Sequence, residues 1–163
     1  MVGDVFTIPL DDDRVGLGQV VGTYRVAALY LAVFDRSLPR DVAPAVAIGS
    51  AHGPLLFLAL SFDAKIYAGH WTVIGRAPVD DSIELPAYKE MVAVPPAYEV
   101  VDARGVRRRP ATDVEAASLP NRAIVAPVRV EKALRAHVGL EPWHEAYAEL
   151  RPDPLTSERR IFG

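Results

Sequence analysis

Cysteine is absent from the 163 residues, which excludes disulfides, thiolate nucleophiles and every zinc or iron–sulfur site built on cysteine. Histidine is sparse, and none of His52, His70, His137 and His144 stands four residues from another. The H-x-x-x-H spacing that sets two imidazoles on one helical face is therefore missing, and no metal site is expected. Long apolar runs are lacking too. The longest, residues 26–34 and 55–60, fall well short of the roughly 20 residues that span a bilayer. The opening MVGDVFTIPLDDDR has none of the zones of a secretory signal, so the expected location is cytoplasmic. Neither a Walker loop nor a G-x-S-x-G elbow occurs. Gly16, Gly18 and Gly22 resemble a nucleotide loop, but the third glycine comes one residue late and the group sits inside a strand pattern. No cofactor is expected.

What is present is an ordinary globular composition, half of it hydrophobic, with a net charge of −3. The charge is unevenly spread. Residues 1–100 hold 7 basic against 12 acidic side chains, and residues 101–163 hold 11 against 9. Acids cluster at Asp11, Asp12 and Asp13, and again at Asp80, Asp81 and Glu84. A catalytic carboxylate pair needs one member desolvated in a cleft, whereas these lie among turn-forming residues. They read as solvated loop acids able to face a basic partner. Arg107, Arg108 and Arg109 form the basic cluster, without the interleaved aromatics that stack nucleic-acid bases. Overall acidity further disfavours a nucleic-acid partner.

Fourteen prolines limit regular elements to the intervals between them. Val5 to Leu10 and the alternating stretch from Val15 to Val21, joined by the turn-forming 11–14, predict a hairpin, with Pro9 at an edge or bulge. Residues 27–35 and 55–62 predict strands buried on both faces, with a loop and one helical turn between them. Asp63 is placed to cap a short helical connection into the β-rich residues 70–75. Residues 91–94, 98–102 and 106–109 predict further strands, the last two joined by a turn at 103–105. Beyond Pro127, apolar residues at Val130, Ala133, Leu134 and Val138 take helical spacing, with Gly139 as the stop. Pro142 suits the start of a second helix, on which Trp143, Ala146, Tyr147 and Leu150 share a face. The expected fold class is α+β: an N-terminal bent antiparallel sheet, or a partly open SH3-like barrel, with a C-terminal helical hairpin. The expected organisation is one domain, with a β-rich core over 1–126, the hairpin over 127–150 and a surface tail over 151–163. Trp71 and Trp143 are expected to be core anchors, Trp143 and Tyr147 facing the sheet.

Three motifs carry a resemblance to a known family. They are the opening G-D-x-F-x-I-P-L of Gly3, Asp4, Phe6, Ile8 and Pro9; Gly18, Gln19 and Val20 after the acidic turn; and the G-x-W-x-x-I-G of Gly69, Trp71, Ile74 and Gly75. In this order the chain resembles the immunity protein 26 family of bacterial polymorphic toxin systems, over about residues 2–86. The resemblance implies a β-rich, non-catalytic cytoplasmic protein that neutralises a cognate toxin domain by binding it, a nuclease being one such toxin. It implies no membrane partner and says nothing of oligomeric state. The motif residues mainly specify the fold, and toxin contacts are expected on loops. Two rival readings are a nucleic-acid-binding or ribonuclease-like small β-barrel using Arg107 to Arg109, and a small-molecule hydrolase using the acids near Asp80.

Overall fold

β-forming residues fill most of the first forty positions, and in the computed structural model, which describes Met1–Gly163, they make most of one sheet. The strands are β1 (Asp4–Pro9), β2 (Arg14–Tyr24), β3 (Ala28–Pro39), β4 (Leu55–Phe62) and β5 (Thr72–Arg76). They pair antiparallel in the order β4-β3-β2-β1-β5. A second antiparallel sheet has the order β6-β7-β8, from Tyr88–Ala93, Ala97–Val101 and Arg108–Pro110. Neither sheet closes into a barrel, and the class is α+β.

Five α-helices accompany the sheets: α1 (Pro44–Gly49), α2 (Ala64–Tyr67), α3 (Asp113–Ser118), α4 (Pro127–His137) and α5 (Glu158–Phe162). The predicted hairpin of β1 and β2 forms. Pro9 extends beyond the reach of β5, which pairs only with Asp4 to Thr7, so its missing N–H leaves no gap in that ladder. The glycine face of β2 lets side chains come close, and at Gly18 also the Ala32 carbonyl, 3.1 Å from where a Cβ would stand. A Cβ on Gly16 would stand 2.4 Å from Leu134 of α4, and one on Gly18 would stand 2.5 Å from the Phe6 ring.

Contacts divide the chain into two compact units, each built from two stretches of sequence. The first comprises Met1–Asp80 and Ile124–Pro152. Its core sets Phe6, Ile8, Leu10, Val20, Leu31 and Phe57 of the sheet region against Val130, Ala133 and Leu134 of α4, as the helical spacing predicted. The second arm of the expected helical hairpin differs, because Glu145–Leu150 is a 3-10 helix. Three residues per turn align Tyr147 with Leu150, and both are buried. Trp143 precedes that helix, across an extended His144, and is 37% exposed. The expectation that it anchors the core is therefore corrected.

The second unit comprises Asp81–Ala123 and Asp153–Gly163. Here the expected surface tail is replaced by packed structure. Glu158 N donates to Leu85 O at 2.8 Å, Ala87 N donates to Thr156 O at 2.7 Å, and Ile161 and Phe162 pack on Ala87, Val100 and Leu119. Polar composition suggests a free tail, but an Ile-Phe pair beginning four residues after the buried Ser157 gives the segment an apolar anchor. α3 was not expected from the sequence. Its signal was the Thr112-x-x-Glu115 capping box.

Candidate functional surface

The family-motif residues sit where they hold the first sheet together. Phe6 and Ile8 point to the α4 side of β1 and are fully buried. Trp71 stacks on Phe6 with ring centroids 5.4 Å apart and planes 1° from parallel. Its indole N–H donates to Glu131 Oε2 at 2.7 Å, and Lys65 Nζ meets the same carboxylate at 3.3 Å. The sequence did not single out Glu131, the charged residue of α4 that ties the helix to the strand-entry tryptophan. Asp4 pairs with Arg76 at 3.1 Å, joining β1 to the end of β5.

Gln19 is fully buried on β2, one residue before the core residue Val20. Its amide nitrogen donates to Ala77 O at 2.9 Å and reaches Gly3 O and Pro78 O at 3.4 Å each. Three carbonyls around one group can be met only by the NH2 end of the amide, and Oε1 is buried with no partner. The side chain fastens the entry to β1 against the exit from β5. Gly69 and Gly75 both take positive φ, of 74° and 152°. A Cβ on Gly75 would also meet Ile48 of α1 at 2.4 Å, so glycine there admits α1 onto β5. Ile74 is half-buried beside it.

The acidic residues divide between the units. Asp11, Asp12 and Asp13 form the turn between β1 and β2. Asp11 Oδ1 accepts from Asp13 N at 3.0 Å and Arg14 N at 2.8 Å, and its Oδ2 accepts from Arg14 Nε at 2.8 Å. The Arg14 bond, with these backbone donors, holds the Asp11 carboxyl below its usual value against a smaller desolvation effect. Arg40 closes the turn from β3's end: its guanidinium donates to Asp11 O at 3.0 Å, and its backbone N donates to Asp13 O at 2.8 Å. Asp12 and Asp13 are exposed at the tip. Asp80 ends the first stretch of the first unit, whereas Asp81 and Glu84 belong to the second. There Arg159 pairs with Glu84 at 3.4 Å and donates to Asp81 O at 3.1 Å.

The basic cluster is engaged within its own unit. Arg107 meets Asp102 at 3.4 Å and lies over the Phe162 ring. Arg108 reaches Glu90 at 2.7 Å and Glu99 at 3.4 Å. Arg109 forms a two-pronged pair with Glu115, at 2.9 and 2.6 Å. That pair, helped by Thr112, brings the Glu115 carboxyl down to about 2. At Asp102, burial favours the neutral acid, yet bonds from Val106, Arg107 and Gly105 outweigh it and lower the pKa. These arginines therefore act as ties within their own unit.

His52, His70, His137 and His144 are scattered over the surface, and no group of three or more His, Asp or Glu side chains is placed to hold a metal ion. No helix is long and apolar enough to cross a membrane. The family model described as Immunity protein 26 matches residues 1–95, a stretch that holds all five strands of the first sheet together with β6. No curated protein and no solved structure matches the chain significantly.

Proposed function

The chain belongs to the immunity protein 26 family, and from that premise we propose that it binds and neutralises a cognate toxin domain of a bacterial polymorphic toxin system, in the cytoplasm and without catalysis of its own. The observation that carries this reading is the family match over residues 1–95, more than half of the chain. Blocking a toxin requires a surface that keeps its shape and repels wrong partners. The turn at 11–14 meets that need. Its backbone is fastened by Asp11, Arg14 and Arg40, and its two tip carboxylates face solvent.

Asp11 fastens the turn while Asp12 and Asp13 face the toxin; Asp80 of the first unit and, separately, Asp81 and Glu84 of the second are further carboxylates open to toxin contact. Acids so presented suit a toxin with a basic face, as a nuclease must have to hold phosphates. The test is binding of the purified chain to the toxic C-terminal domain encoded beside its gene, read by calorimetry and stopped flow. A stable complex is expected, with an association rate that falls as salt is raised. The double variant Asp12→Asn, Asp13→Asn should slow association by about tenfold at low salt and flatten its salt dependence. Absence of any complex contradicts the reading, and a salt-independent rate contradicts its electrostatic part.

A further inference from the structure

β1 alternates, so Thr7 and Pro9 lie on the face of the sheet away from α4. On that face Thr7, Pro9 and Val15 form the floor of an open groove, with Thr72 and Ile74 of β5 along one side and Val42 and Arg40 along the other. Its volume is about 230 Å³, below the ~300–1,000 Å³ of clefts that enclose a small-molecule ligand. It is the size for one or two side chains of another protein.

Two neighbouring features say what would fill it. First, β5 is an edge strand, with β1 on one side and no strand on the other. Its Thr72 end stands opposite Thr7, toward the end of β1 from which the acidic turn leaves. An extended segment lying in the groove would run beside this strand, against Thr72 and Ile74. Second, Arg40 both lines the groove and fastens the turn, so Asp12 and Asp13 stand at the groove's rim. Of the two arginines there, Arg14 is held by the Asp11 carboxylate and Arg40 by the Asp11 carbonyl. Both stay partly exposed, and the three aspartates of the turn outnumber them, so the rim keeps a net negative charge.

We propose that this groove is the toxin-docking site. It takes an extended segment of the toxin domain, with an apolar side chain over Pro9 and Val15 and a lysine or arginine against Asp12 or Asp13. A second copy of this chain is the poorer occupant, because it brings the same negative net charge. The inference rests on the toxin-binding reading above and adds the surface and the chemistry of the segment it takes.

The experiment compares Thr72→Arg and Val42→Arg with the unaltered chain and with Val114→Arg, an exposed position in the second unit. Each is titrated with the purified toxin domain encoded beside the gene, with thermal unfolding and size-exclusion chromatography run in parallel. Both groove variants are expected to unfold as the unaltered chain does and to bind at least about 30-fold more weakly. Val114→Arg should stay within about twofold. If the unaltered chain does not bind, the toxin-binding reading fails and the groove falls with it. If the unaltered chain binds and both folded groove variants bind equally well, the groove assignment alone is overturned. Unchanged toxin affinity with weakened self-association also overturns it, in favour of a second copy.

Discussion

Trp71 is 1% exposed, stacked on Phe6 and hydrogen-bonded to Glu131, so truncating it opens a cavity and leaves the Glu131 carboxylate to Lys65. Trp71→Ala should cost about 3–5 kcal/mol, seen as a fall in the urea midpoint. Trp143 has only an edge contact with Tyr147 and the Arg151 guanidinium over its ring. Trp143→Ala should cost about 1 kcal/mol, nearer to the surface range; an equal loss for both tryptophans would contradict this assignment. Sequence alone made the two look alike, since each lies among apolar neighbours. What separates them is burial, since an extended His144 leaves Trp143 ahead of the 3-10 helix and 37% exposed at the edge of Tyr147. The alternation in G-D-x-F-x-I-P-L, by contrast, was legible because a strand converts every second residue directly into a buried one. Gln19 and Glu131 were harder to read, for their partners lie 58 and 60 residues away.

At the scale of elements, strands were more readable than helices. β4 runs over the predicted 55–62, because a bounded apolar run fits one buried strand and little else. The spacing of Tyr147 and Leu150 fits an α-helix as well as the 3-10 helix that Glu145–Leu150 forms. α3 has no buried residue and therefore left no periodic trace, only its capping box. That box carries a pH prediction. Glu115, paired with Arg109, has its carboxyl lowered from 4.5 to about 2, and Asp102 is lowered in the same direction. A carboxyl lowered on folding stabilises above its unfolded value, and the contribution is lost as pH falls toward the folded one. The second unit should therefore weaken between pH 5 and about pH 2. Glu115→Gln should cost about 0.5–2 kcal/mol at pH 7, the range for a lost cap, and reduce the slope of stability against pH over that window. A slope identical to that of the unaltered chain in acid denaturation would contradict the pairing.

Across the whole molecule, the charge asymmetry seen along the sequence does not become an acidic half of the fold. The first unit holds 10 basic and 12 acidic side chains and the second holds 8 and 9, because residues 124–152 return to the first unit and 153–163 to the second. The electrostatic argument for toxin binding thus belongs to the turn at 11–14 rather than to half the chain. No pattern in the sequence announced this return, since chain order is silent about which distant segments share a core. The family motifs, the first sheet and the acidic turn were legible; the groove was not, because Thr7, Val15, Val42 and Thr72 become neighbours only when β1, β2 and β5 pair. The central claim is neutralisation of a toxin, and its most direct measurement is co-expression of the chain with the toxic domain encoded beside its gene, scored by survival and co-purification. The account predicts that cells survive and that the two proteins purify as one complex. Cell death with no complex, while the chain itself is folded and abundant, would contradict it.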